Sequence, residues 1–281
     1  MVTPLRPDGA VDLAEAGRLA AWLVDTQRND GLIVSGTTGE APTTTDAEKR
    51  ALVEAVVEAV GDRAAVVAGV GTNDTAHTVE LARQAQAAGA TGVLVVTPYY
   101  SRPPQDALAA HFTRVADATD LPVMLYDIPQ RTGTPIDEST LLELAAHPRI
   151  VAVKDAKGQV VSSARVIART DLAYYAGDDA MVLPLLAVGG SGVVGTSTHF
   201  TGARTKDLLD AWTAGRLVDA LAIYQELLPV YTGVFALQGV VLVKAGLAAR
   251  GFAPGGVRPP LLPAAADQTA TFVRLLDAAG F

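Results

Sequence analysis

Lys154 closes the apolar run Ile150-Val151-Ala152-Val153, so a strand there carries its stem into a core and leaves its ammonium partly stripped of water. Desolvation disfavours the charged form of an amine, and the free amine is the species that attacks a ketone to form a Schiff base. The competing reading is an ion pair with the adjacent Asp155, while Lys157, in the following loop, reads as a solvated charge. Tyr126 ends a second apolar run, Val123-Met124-Leu125. Beside a Schiff-base lysine its phenol could give and take protons; alone, it could simply be a buried tyrosine with one hydrogen bond. The turn Gly36-Thr37-Thr38-Gly39 offers two hydroxyls and free backbone N–H groups ahead of a helix. That equipment suits a carboxylate, and it equally suits a glycine-rich turn with threonine capping. Two further strand ends carry polar groups, Thr97-Pro98-Tyr99-Tyr100 and the stretch from Tyr126 through Arg131 to Gly133.

Other patterns carry less. Gly190-Ser191-Gly192-Val193-Val194-Gly195 fits G-x-G-x-x-G, but it leads into a strand, whereas the dinucleotide fingerprint follows one and opens a helix. His77, His111, His147 and His199 are isolated, form no metal-ligand spacing and read as structural or surface residues. The chain contains no cysteine, which excludes disulfides, thiolate nucleophiles and cysteine metal sites. No metal is implied.

To bring those strand ends together, the chain needs a scaffold that gathers them on one side. Val- and Ile-rich runs recur about every thirty residues and alternate with Ala-rich segments of helical period, the pattern of repeated βα units. Eight strands are expected, at 2–3, 31–35, 65–70, 93–97, 122–126, 150–154, 172–176 and 192–195. Crossover helices are expected at 46–60 and 75–88. The pattern then becomes wholly helical, at 205–214, 217–236, 240–250 and 266–278. The fold class is therefore α/β, a (β/α)₈ TIM barrel over 1–200, with the last barrel helix and a C-terminal helical extension over 201–281. A doubly wound open sheet is the alternative. Polar residues at the C-terminal ends of barrel strands are where chemistry gathers.

At 281 residues, 49% hydrophobic, the chain can bury one large core. Its net charge of −8 argues against a general affinity for nucleic acid or anionic lipid, so an anionic substrate needs local cations. The longest apolar run, 183–195, is broken by glycine and too short to span a membrane. Residues 1–9 have no signal-peptide apolar region, which makes cytoplasmic residence the expectation. The first strand begins almost at Met1, which suggests a misassigned start.

Taken together, Gly36-Thr37-Thr38-Gly39-Glu40, Val96-Thr97-Pro98-Tyr99-Tyr100, Tyr126-Asp127-Ile128-Pro129-Gln130-Arg131-Thr132-Gly133, Val153-Lys154-Asp155-Ala156 and Gly177-Asp178-Asp179 resemble the signatures of the dihydrodipicolinate synthase / N-acetylneuraminate lyase family. They stand in the family's order and near its spacing across the whole chain. The resemblance implies a barrel without metal or organic cofactor, assembled as a homotetramer of two tight dimers. It assigns the Schiff base to Lys154, proton transfer to Tyr126, the linking hydroxyl of a relay to Thr37, and to Tyr100 the tyrosine lent by a neighbouring subunit. Thr38 matches the position holding the pyruvate carboxylate, Val194 the backbone lining the pyruvate pocket, and Gly177 belongs to the substrate-binding set. Arg131 marks the dipicolinate-forming branch, where it binds the carboxylate of aspartate-4-semialdehyde. Two departures stand out: Asp127 replaces the commoner asparagine, and Gly195 stands where serine is frequent.

The implied activity is a class I aldolase-type condensation of pyruvate with L-aspartate-4-semialdehyde to 4-hydroxy-tetrahydrodipicolinate, in diaminopimelate and lysine biosynthesis. The alternatives are a sister aldolase cleaving a sugar-derived 2-keto acid, which Arg131 opposes, and a non-catalytic keto-acid sensor, which Lys154 and Tyr126 oppose. Relatives inhibited by lysine use a histidine and a glutamate where this chain has Lys49 and His77, although Asn73 and Tyr99 match. Insensitivity to lysine is the expectation unless Asp74 or Asp46 supplies the missing carboxylate.

Overall fold

The computed structural model describes residues 1–281. Seven strands form one sheet in chain order: β1 (Gly31–Val34), β2 (Ala65–Gly69), β3 (Gly92–Val96), β4 (Val123–Asp127), β5 (Ile150–Asp155), β6 (Ala173–Ala176) and β7 (Gly192–Val193). From β2 to β7 every pairing is parallel. Parallel neighbours need a crossover between them, and helices supply it. The sequence Gly-Val-Leu-Val-Val of β3 is buried at its first four positions, as a strand covered on both faces requires.

The chain divides into two compact units, Val67–Gly195 and the pair of segments Met1–Val66 and Thr196–Phe281. In the second of these, α1 (Leu13–Asp25) buries Ala16, Leu19, Ala20 and Leu23, one stripe of a 3.6-residue period. The helix α2 (Asp46–Val60) begins with a capping box in which Thr45 accepts from the Glu48 N–H and Glu48 accepts from the Thr45 N–H. Val67–Gly195 carries α3 (Thr75–Ala87), α4 (Gln105–Asp117), α5 (Pro129–Thr132), α6 (Glu138–Leu144), α7 (Val160–Ile167) and α8 (Val182–Leu186). Its core includes the fully buried Phe112, Val123 and Leu125, each such side chain contributing about 1.5–3 kcal/mol. The C-terminal helices α9 (Thr198–Thr213), α10 (Leu217–Gly233), α11 (Gly239–Ala249) and α12 (Ala266–Ala278) belong with Met1–Val66.

Two expectations change. The sheet holds seven strands where eight were expected. Residues 2–3 are not a strand, yet both are buried: the Met1 amino group donates to Ile33 O, the Val2 N–H to His199 Nε2, and Thr3 Oγ1 to Gly39 O. This segment makes single anchoring bonds in place of a ladder. The helix expected from 205 begins at Thr198, because its first turn has no side-chain cap for a sequence pattern to reveal. By contrast, the bounds of α2 and α12 agree with expectation residue for residue.

Candidate active site

Register brings the two principal residues together. Tyr126 on β4 is the direct partner of Lys154 on β5, and the two-residue period of a strand turns both to one face while Asp127 and Asp155 take the other. Lys154 Nζ lies 4.3 Å from the centroid of the Tyr126 ring, close enough for a cation–π contact. Tyr126 is buried and Lys154 half-buried. The alternative pairing of Lys154 with Asp155 is not formed. Asp155 Oδ1 accepts from the Lys157 N–H at 2.8 Å and Oδ2 accepts from Ser163 Oγ.

Neighbouring backbone holds these strand ends in place. Thr97 donates to Tyr126 O through both its N–H, at 3.1 Å, and its hydroxyl, at 3.3 Å. The Gly177 N–H donates to Asp155 O at 2.7 Å, and a Cβ on Gly177 would come within 3.0 Å of Lys154 Cγ. A side chain there would press on the lysine stem. Val194 is half-buried and its N–H donates to Ala176 O at 2.8 Å. Arg131 sits exposed on the single turn α5. Tyr100 is 91% exposed and has φ +72°, a left-handed backbone that costs a non-glycine residue of order 1–3 kcal/mol.

Lys157 corrects the sequence reading. Its side chain is only 6% exposed and Nζ lies 3.2 Å from Oδ2 of the buried Asp127, an ion pair without an aligned hydrogen bond on that oxygen. Burial pushes the Asp127 carboxyl up to about 6, against the opposing pull of Lys157 and the Ile136 N–H. A charge at position 127 balanced by one at 157 was the available signal for this pair.

Thr37 and Thr38 belong to the other unit and are half-buried. Their turn is closed by Gly39 N–H to Gly36 O at 3.0 Å and Glu40 N–H to Thr37 O at 3.1 Å. Neither threonine caps the following 3₁₀ turn, Ala41–Thr43, whose cap position is Glu40. Thr38 Oγ1 lies 3.4 Å from Thr196 Oγ1. Left-handed residues flank the turn, Ser35 at φ +57° and Glu40 at φ +56°. Glu40 is locked: Oε1 accepts from Lys244 Nζ at 2.6 Å and Oε2 from the Arg258 N–H at 2.8 Å. Lys244 also donates to Gly256 O at 2.6 Å. Sequence reading missed this latch, although a lone lysine inside the apolar helix Gly-Val-Val-Leu-Val-Lys-Ala-Gly-Leu-Ala-Ala signals a buried cation in need of a partner.

The histidines have structural partners. In His199, Nδ1 donates to Thr196 O and Nε2 accepts from Val2 N–H, which fixes the neutral ring, and complete burial lowers its pKa to about 3. Burial likewise lowers His111 to about 4, with Nδ1 2.9 Å from Thr75 Oγ1. His147 pairs with Asp117 at 3.1 Å.

A strand-end lysine against a phenol, on a parallel sheet of this order, is the equipment of an imine-forming enzyme. The chain belongs to the dihydrodipicolinate synthetase family, whose model matches residues 1–279. A relative from Cutibacterium acnes named 4-hydroxy-tetrahydrodipicolinate synthase is 65% identical over 277 residues, 99% of this chain and 94% of its own. The solved structure of dihydrodipicolinate synthase from Cyanidioschyzon merolae with lysine bound matches with a TM-score of 0.97 at 37% identity, covering 100% of this chain and 96% of that one. A monomeric dihydrodipicolinate synthase variant matches with a TM-score of 0.96 at 32% identity, covering 100% and 95%. The expected fold class, a (β/α)₈ barrel with C-terminal helices, stands.

Proposed function

We propose that this chain is a lyase that condenses pyruvate with L-aspartate-4-semialdehyde to give 4-hydroxy-tetrahydrodipicolinate, the reaction its relatives' name implies, in diaminopimelate and lysine biosynthesis. The observation that carries the chemistry is the register pair of Lys154 and Tyr126. The Lys154 amine adds to the ketone carbon of pyruvate and water leaves, forming the imine. Tyr126 moves the protons of that step and of the loss of a methyl proton, which gives the enamine. The enamine carbon attacks the aldehyde carbon of the second substrate, whose oxygen becomes a hydroxyl. The substrate's own amine then adds to the imine carbon and expels Lys154, closing the ring.

The remaining roles rest on the family resemblance: Thr37 as the linking hydroxyl, Thr38 and the Val194 backbone for the pyruvate carboxylate and pocket, Gly177 lining the lysine, and Arg131 for the carboxylate of the semialdehyde. Borohydride added with pyruvate tests the reading. The expected result is a reduced pyruvyl adduct on Lys154, absent from Lys154→Ala, together with turnover when the semialdehyde is supplied; cleavage of a sugar-derived 2-keto acid without that turnover would overturn it.

The working form is a cytoplasmic homotetramer, a dimer of dimers, in which Tyr100 completes a neighbour's relay. An aromatic ring left in solvent on a left-handed backbone supports that role. Tyr100→Phe is expected to retain the fold and lose about 10²–10⁴ in kcat, and a monomeric fraction of full specific activity would contradict the sharing. Free lysine is expected not to inhibit. Lys49 is anchored on Thr44 O, and Asp74 is occupied by the Ala76 N–H at the start of α3. Initial rates should be unchanged with lysine raised to about 1 mM, an affinity worth only about 4 kcal/mol.

A further inference from the structure

The loop that carries Arg131 is closed at its base by a two-handed grip on the backbone of one residue. It leaves β4 at Asp127 and returns at the fully buried Ile136. Both backbone groups of Ile136 are held: its N–H donates to Asp127 Oδ1 at 3.2 Å, and its carbonyl accepts from Lys157 Nζ at 3.2 Å. The same Lys157 ammonium is paired with Asp127 Oδ2 at 3.2 Å, so carboxylate, ammonium and peptide form a closed ring. Within the loop, the Thr132 hydroxyl donates to Ile128 O at 3.1 Å and to Thr134 O at 3.0 Å, which stiffens the turn around Arg131.

The ring also ties the loop to the reactive lysine. The Lys157 N–H donates to Asp155, the residue after Lys154, and the Ala156 N–H donates to Asp127 O at 2.9 Å. Asp127 itself follows Tyr126. The loop base and the two reactive side chains therefore share one rigid piece of backbone.

We infer that Asp127 and Lys157 are positioning residues for the second substrate, clamping the 128–136 loop so that Arg131 meets the semialdehyde carboxylate at a fixed distance from the Lys154 enamine. The inference rests on the reading of Arg131 given above. Neither residue touches the reacting atoms, so their removal acts on capture and orientation of the aldehyde and leaves imine formation intact. Misplacement of a binding group by about 1 Å is enough to cost up to 10²-fold.

The test is steady-state kinetics on folded Lys157→Met and on the double variant Asp127→Asn/Lys157→Met, with borohydride trapping of pyruvate run alongside. Lys157→Met releases the Ile136 carbonyl. It is expected to raise KM for aspartate-4-semialdehyde about tenfold, with KM for pyruvate and the trapped fraction at parental values. The double variant removes both charges of the pair and keeps an amide oxygen for the Ile136 N–H, so it covers the case in which Lys157→Met fails to fold; it is expected to show the same split. An unchanged KM for the semialdehyde in either folded variant overturns the inference. A parallel loss in both substrates' KM and in trapping also overturns it, because that is the signature of general loosening. If the parental chain itself traps no pyruvate or does not condense the aldehyde, the functional reading falls first and the clamp falls with it; parental turnover with unaltered variants removes the clamp alone.

Discussion

The two compact units each bury one lysine–carboxylate pair, and the pairs are built differently. Glu40–Lys244 is saturated. Its nitrogen and oxygen lie 2.6 Å apart, both side chains are 3% exposed, and Arg258 N–H and Gly256 O take up further bonding positions. Asp127–Lys157 is looser at 3.2 Å, with one carboxylate oxygen lacking an aligned donor and the carboxyl pushed up to about 6. A buried pair holds its charges only when surrounding hydrogen bonds offset the lost hydration. The first pair meets that condition and acts as a latch between the Gly-Thr-Thr-Gly-Glu turn and the C-terminal segment. The second meets it in part and lies beside Lys154 and Tyr126, the proposed reactive residues, where perturbed carboxyls gather.

Breaking the saturated pair should have the largest effect. Lys244→Met strands a buried carboxylate and Glu40→Gln strands a buried ammonium, and each is expected to lower unfolding free energy by about 3–5 kcal/mol in urea titrations. A loss under about 1 kcal/mol would show that the latch is no stronger than a surface pair.

The buried histidines come next, and they sharpen the contrast because each unit has one. Their folded pKa values lie below the unfolded value near 6.5, at about 3 for His199 and about 4 for His111. Their neutral-form contribution is therefore complete above about pH 6.5 and is lost as pH falls toward the folded values. At pH 5 each costs about 2 kcal/mol relative to pH 7.5. Urea titrations at the two pH values should show that loss, and His199→Gln should remove about half of the pH dependence. A pH-independent midpoint would sink the assignment of both as neutral.

Lys157→Met should cost least. The stranded Asp127 can take a proton, and because its carboxyl is already pushed up to about 6 against the pull of Lys157, that costs at most about 1.4 kcal/mol at pH 7. The sign is opposite to that of the histidines: a raised carboxyl contributes stability that is complete below about 3.8 and is lost as pH rises through about 6. Relative to the parent, Lys157→Met should be more stable at pH 5.5 than at pH 7.5. A loss as large as that of Lys244→Met, unrelieved by acid, would erase the difference between the two pairs.

Much of this molecule was legible in its sequence because backbone periodicity writes itself locally. The recurring Val- and Ile-rich runs gave the βα order, Thr45 and Glu48 marked the start of α2, and the apolar runs before Tyr126 and Lys154 placed both at strand ends. Tertiary structure decided which strand ends meet. The Tyr126–Lys154 pairing is a matter of sheet register, and a slip of one residue would have turned one of them to the opposite face. It also decided the charges. Lys157 looked solvated because it lies in the loop after a strand, and its burial depends on a carboxylate from the preceding strand. Lys244 finds Glu40 at a separation of 204 residues, and His199 holds the backbone of Val2 across 197. No local pattern encodes such partners, because the energy that selects them comes from removing both groups from water in the same place.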